Sequence, residues 1–243
     1  DFEYDKARAM VEQYFGDIKS SPKPIELPDI SEPRQEQEKR ASRLDPLATK
    51  PGYAFSYHVP PRLTEEWYAM GLLDQILLQG EDSLLYKALV KDKGYTSDVG
   101  GGINALLGNM LNYKGPMLWT ASLIHDAEIG ADDITAVLDQ VIEDIRKNGV
   151  DEATLERAKI KWRSDYYDNL SAFFGFGRAD VLASLAIFDD YPQRINEFES
   201  SVAAVSPELV KATAEEYLRS TNRTILVLEA GAAAQQQEVA NND

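Results

Sequence analysis

From residue 134 to residue 145 the apolar side chains Ile134, Val137, Leu138, Val141, Ile142 and Ile145 recur at i, i+3, i+4, i+7, i+8 and i+11. A helix gathers that set on one side, and a stripe so continuous must be buried against a sheet or another helix. Asp132 is placed to cap this helix and Asn148-Gly149 to end it. Asp151 then stands as the cap of a second helix, "EATLERAKIKWRSDYYDNL". The chain therefore needs a second layer for these helices to pack on.

Alternating segments supply that layer. "GYAFSYHV" alternates in strand fashion from Gly52 to Val59 and is stopped by Pro60-Pro61. "RTILVLEA", residues 223–230, reads as a closing strand. "YTSDVGGGINALLGN" and "PMLWTASLIHD" read as two long strands joined by a hairpin at "MLNYKG". Between and around them lie helices. One runs from about Thr64 with Trp67, Met70, Leu73 and Leu77 on one face, ending at Gly80. One begins at the N-cap Ser83 and stops by Gly94, and another starts near Arg178. Ser206-Pro207-Glu208 opens the last, with Val205 and Val210 placed as a staple across the cap. Strands grouped with helical pairs, without strict βαβ alternation, define an α+β fold: an antiparallel or mixed sheet covered by helices on one face.

The ends of the chain differ in character. Residues 5–18 form an expected helix carrying Ala7, Met10, Val11, Tyr14 and Phe15 at helical spacing. "KSSPKPIELPDISEPRQEQEKR" follows with four prolines and many charges, which reads as an extended, solvated linker. The expected organisation is a C-terminal helix of a preceding domain at 1–20, a linker at 21–50, the main domain at 51–231 and a disordered tail at 232–243.

Several functions are excluded by composition. The 25 basic and 41 acidic side chains leave a net charge of −16, which repels phosphate backbones and makes nucleic acid a poor partner. Concentrated on a concave face, such a balance attracts cationic peptides; spread out, it is a solvated acidic surface. Cysteine is absent, so thiolate chemistry and disulfides are too. His58 and His125 stand alone, with no second His at i+3 or i+4, and no GxSxG elbow accompanies either. No run of 18 uncharged apolar residues exists to span a membrane. The triplet Gly100, Gly101 and Gly102 lacks the Lys and Ser or Thr of a phosphate-binding loop. It completes only half of a dinucleotide fingerprint. Glycines that let a strand kink or approach another backbone closely are the simpler account.

At this point the pattern becomes specific. "YHVPP…YAMGLLDQILLQGEDSLLYKALVKDKGYTSDV" resembles the C-terminal half of the pitrilysin-like (M16, inverzincin) zinc metallopeptidases. "DEATLERAKIKWRSDY" is similar to their next long helix, and "SPELVKATAEEYLRSTNRTILVL" to their closing helix and strand. The resemblance covers about residues 50–230 as a spread pattern. "DFEYDKARAMVEQYFGDI" is similar to the end of a preceding half, so the chain is expected to be a piece of a longer protein.

The resemblance implies a division of labour. The family's zinc motif, HxxEH with a downstream Glu, lies in the N-terminal half, and no HxxEH occurs in this chain. No catalytic residue, metal ligand or cofactor is therefore expected here. Zinc is expected in the parent protein or a partner half, where it would polarise water and carbonyl. Some members supply an Arg and a Tyr, seven apart, from the C-terminal half to hold substrate. Here Val90 and Ser97 occupy those positions. Tyr95, two residues before Ser97 and on the same face if the segment is a strand, would stand in for the Tyr, with Lys91 or Lys93 as the cation. The expected substrate contacts are thus Lys91, Tyr95, Ser97, Gly100, Gly101 and Gly102. The implied function is a non-catalytic half that walls the substrate chamber of a zinc-dependent peptidase, its partners being the zinc-binding half and peptides. An inactive M16-like scaffold or assembly subunit is the alternative. The bacterial periplasm is favoured over the cytoplasm.

Overall fold

The computed structural model describes residues 2–23, 26, 28–29, 31–172 and 177–231. The chain divides into two compact units, residues 1–31 and 32–243. The first contains α1 (Tyr4–Phe15), a helix with none of its side chains buried. The tail expected to be disordered at 232–243 lies outside the described residues.

The second unit is built on a mixed five-stranded sheet. Its strands are β1 (Lys39–Asp45), β2 (Gly52–His58), β3 (Gly100–Ile103), β4 (Leu118–Ile124) and β5 (Arg223–Ala230), in the spatial order β1-β5-β2-β4-β3. β1 runs parallel to β5, and the other neighbours are antiparallel. Period-two alternation divides the sheet into two faces. Tyr53, Phe55, Tyr57, Trp119, Ala121, Leu123 and Ile225 are all buried on the helix side. Leu118, Ile124 and Leu226, on the opposite face, remain 38%, 55% and 42% exposed. Phe55 and Trp119 meet edge to face with ring centroids 5.7 Å apart, the favoured aromatic geometry.

The helices on the buried face are α2 (Glu65–Leu77), α3 (Leu84–Tyr86, continued as a π-helical turn over Lys87–Asp92), α4 (Ala131–Asn148), α5 (Glu152–Ser171), α6 (Arg178–Asp189), α7 (Phe198–Ala203) and α8 (Pro207–Tyr217). The α4 stripe is buried at Ile134, Val137, Leu138, Ile142 and Ile145. Its cap is Gly130, two residues earlier than expected. Asp132 falls inside the first turn and pairs with Arg40 at 2.6 Å, while Asp133 accepts the Gly130 N–H. The expected caps Asp151 and Ser206 accept from Thr154 N–H at 2.7 Å and Leu209 N–H at 3.2 Å. Asp151→Ala is expected to lower stability by about 1 kcal/mol, the usual cost of a lost N-cap. Chemical denaturation of the variant measures this, and an unchanged midpoint would show that the cap contributes nothing.

Three local expectations are corrected. The stretch read as linker up to residue 50 contains β1, whose side chains are exposed or half-buried at every position. Its attachment is polar: the Gln35 side chain donates to Arg223 O at 2.8 Å, and the buried Arg223 guanidinium holds Glu38 and Asp139. The long glycine-containing strand is only four residues, Gly100–Ile103. β3 and β4 pair antiparallel as expected, but residues 104–115, expected to complete the strand and turn tightly, instead make a looped excursion between them. Asn104, at φ +58°, pins the loop by donating to Asn109 O at 2.9 Å and Asn112 Oδ1 at 3.1 Å. Residues 93–99 are likewise not a strand, apart from a single bridge from Thr96 to His125.

Candidate functional site

Among the described residues, β3 is an edge strand that pairs with β4 alone. The Asn104 N–H donates to Leu118 O at 3.1 Å. Antiparallel parity then turns the peptide groups of Gly100 and Gly102 toward β4, and those of Gly101 and Ile103 outward. Gly101 is locked by its surroundings: at φ +156°, a Cβ there would lie 2.0 Å from Thr120 O and 2.7 Å from the Ala121 Cα. Only glycine allows β3 to lie this close to β4. Gly100 has open space where a side chain would point.

Beside β3 lies a cavity of about 250 Å³ between the strand and the helices α2 and α5. Gly101, Gly102 and Ile103 form one wall, with Met110 from the pinned loop above them. Trp162 and Tyr166 of α5 line the opposite side, their rings stacked at 5.1 Å and 14°. The cavity's polar side chains are Asp74 and Gln75 of α2, Asp165 and Asn169 of α5, and Gln79 and Asn109 from the segments that follow α2 and β3.

Asp74 is the centre of the arrangement. Trp119 Nε1–H donates to its Oδ1 at 2.6 Å, and Gln79 Nε2 donates to its two oxygens at 3.2 and 3.0 Å. The same Gln79 amide donates to Gly101 O at 3.1 Å and so ties the acid to the strand edge. Burial pushes the Asp74 carboxyl up to about 6. The Trp119 and Gln79 hydrogen bonds oppose that rise, Asp165 adds to it, and Lys161 opposes it. Gln75 Nε2 donates to Asp165 Oδ2 at 3.0 Å.

The expected contacts separate into two groups. Gly101 and Gly102 line the cavity and Gly100 continues their strand. Lys91, Tyr95 and Ser97 are not among the lining residues. Lys91 Nζ sits 5.3 Å from the Tyr86 ring centroid and 3.7 Å from Glu81. Tyr95 packs half-buried against the core, and Ser97 is exposed. Asp74 and Gln75 were missed as site residues. Their signal is present in "YAMGLLDQILL", where a polar pair interrupts an apolar helical run.

A mixed five-stranded sheet with helices on one face, ending in a glycine edge strand, matches one class of protein. The family model described as the Peptidase M16 inactive domain matches residues 1–161, and the chain belongs to that family. No curated protein matches it. Among solved structures, a protease from Helicobacter pylori aligns with a TM-score of 0.80 at 20% identity, covering 94% of this chain and 53% of that one. The peptidase M16 inactive domain from Pseudomonas fluorescens aligns at 0.71 and 18%, covering 95% and 52%. The periplasmic protease PqqL from Escherichia coli aligns at 0.64 and 15%, covering 95% and 24%. The chain thus spans about half the length of the first two and a quarter of the third. Among the described residues, no group of three or more His, Asp or Glu is placed to hold a metal ion, and no helix is long and apolar enough to cross a membrane.

Proposed function

We propose that this chain is a non-catalytic half of an M16-type zinc peptidase that walls the substrate chamber and holds an extended peptide along the edge of β3. Hydrolysis falls to a zinc-binding half, in the same parent chain or a partner subunit. Residues 1–20 close a preceding domain in this reading, and the main domain begins ahead of β1 rather than at residue 51. Tyr95, Ser97 and Lys91 precede β3 and would meet a peptide only beyond the start of the strand. The Escherichia coli relative, named as periplasmic, supports the same compartment here.

The observation that carries the reading is an unpaired strand edge bordering a cavity. Addition of a peptide strand to such an edge uses outward backbone groups that would otherwise face solvent. Most proteins blunt their edge strands with charge, proline or a bulge. β3 is four residues of glycine and isoleucine, exposed at Gly100 and Gly101, buried at Gly102 and Ile103, and partly covered by Gln79. Val90 and Ser97, standing where some relatives carry Arg and Tyr, favour the scaffold as the second reading.

Amide hydrogen exchange of the full chain, with and without unstructured twelve-residue peptides, separates the two. Slowed exchange at Gly101 and Ile103 is expected on peptide addition, and Gly100→Val is expected to reduce it by crowding the edge without strain. Unchanged exchange at β3 with every peptide would leave the scaffold reading in place.

A further inference from the structure

We propose that the cavity beside β3 is a pocket for a basic side chain, lysine or arginine, carried by the peptide on the edge strand; this rests on the reading above. Its lining contains the two carboxylates Asp74 and Asp165 and no Lys, Arg or His. The nearby Lys161 ammonium is already held by Gln79 O at 2.6 Å and Asp82 at 2.8 Å. The pocket therefore holds two hydrogen-bonded carboxylates with no cation in its lining.

Gln75 points to the same ligand independently. It is 7% exposed and lines the cavity, its Nε2 is bonded to Asp165, and its Oε1 has no partner among the described residues. A buried carbonyl oxygen without a donor is rare, and a donor entering the cavity satisfies it. A hydroxyl would do so but leave the two carboxylates without a counter-charge. An ammonium or guanidinium serves both, in charge-assisted hydrogen bonds.

The apolar lining fits the rest of such a side chain. Met110 and Leu170 can flank a methylene stem, and the stacked Trp162 and Tyr166 rings offer a face to the cation. Register supplies the route. Ile225, Phe55, Ala121 and Gly101 form one row across the sheet, and the first three side chains are buried on the helix side. A peptide residue paired with Gly101 extends that row and projects toward the cavity.

The test uses the full chain and labelled twelve-residue peptides differing at one position: lysine, norleucine, arginine or citrulline. Lysine over norleucine and arginine over citrulline are expected to bind at least tenfold tighter, with β3 exchange slowed in each complex. The preference is expected to vanish in Asp74→Asn combined with Asp165→Asn. It is expected to persist in the equally charge-changing double variant of two exposed acids, Glu128→Gln with Asp92→Asn, which controls for the net charge. Equal affinities with β3 still protected would overturn the pocket and leave the edge-strand reading standing. A preference that survives Asp74→Asn with Asp165→Asn would place basic recognition elsewhere and overturn the pocket as well. Absence of β3 protection with all four peptides would remove both.

Discussion

Gly101→Val is expected to lose more than about 3 kcal/mol of stability or to detach β3, whereas Gly100→Val, one residue away, is expected to change stability by less than about 0.5 kcal/mol. The contrast is steric. The Cβ of any residue at 101 would sit 2.0 Å from Thr120 O and 2.9 Å from the Thr120 carbonyl carbon. Those atoms belong to β4, which is held on its other side by β2, so the neighbour cannot yield. A β-branched residue at positive φ adds backbone strain of its own. Gly101→Ala carries the same clash, because the Cβ itself is the offending atom. At Gly100 nothing lies within 4 Å and φ is not positive. Chemical denaturation of both variants, with amide exchange across the four pairs of β3 and β4, measures the difference. A Gly101→Ala protein with wild-type stability and intact exchange would show that the strand can shift, and the close approach would not be a constraint.

This contrast also shows what the sequence could convey. The glycine triplet was recognisable as a place of close backbone approach, but not which glycine makes it. That assignment depends on the register against Thr120 and Ala121, residues almost twenty positions away. The α4 stripe, the caps Asp151 and Ser206 and the limits of β5 were legible because each is signalled locally, by period, cap chemistry or alternation. β1 was not. "KRASRLD" offers no apolar face, and its place beside β5 is secured by backbone pairing and by Gln35 and Glu38 reaching Arg223. The two strands of the expected hairpin, β3 and β4, do pair antiparallel, but their connection is longer than expected, because the Asn104, Asn109 and Asn112 contacts that shape the excursion close only in three dimensions.

The site was less legible than the fold. The family resemblance points to residues 90–97, the end of a helix and the expected start of a strand at Tyr95, and only an isolated bridge at Thr96 forms there. The acid of the cavity lay unnoticed on α2, because a helix with Trp67, Met70, Leu73 and Leu77 on one face reads as core throughout. Asp74, at i+7 from Trp67 and i+4 from Met70, lies within that face. Its partner Trp119 comes from β4, so the pairing of a carboxyl with an indole across 45 residues has no local trace.

The stability of the chain is expected to fall by up to about 3 kcal/mol as pH rises from 4 through 6 because of Asp74 alone, and Asp74→Asn is expected to abolish that component. The sign follows from the direction of the shift. Burial raises the folded carboxyl from 3.8 to about 6, so the folded state binds the proton more tightly than the unfolded chain. That contribution is complete below the unfolded value and is lost as pH passes the folded one. The groups facing Asp74 are Trp119 and Gln79, which donate to it, with Asp165 and Lys161 at greater range, and Asp82 engages Lys161. About two pH units at roughly 1.4 kcal/mol each set the ceiling, and water entering the cavity lowers it. The stability difference between Asp74→Asn and the parent chain, followed by denaturation from pH 4 to 7.5, isolates the group from the other carboxylates. It is expected to grow through pH 6 and then level, and a flat difference would mean that Asp74 is not perturbed. The same acid gives peptide binding a proton signature. A cation seated against Asp74 favours the carboxylate and draws its titration back down, so binding near pH 6 is expected to release a proton that binding at pH 7.5 does not. Calorimetry in buffers of different ionisation enthalpy reads that release directly, and equal proton counts at the two pH values would separate the half-buried acid from the ligand.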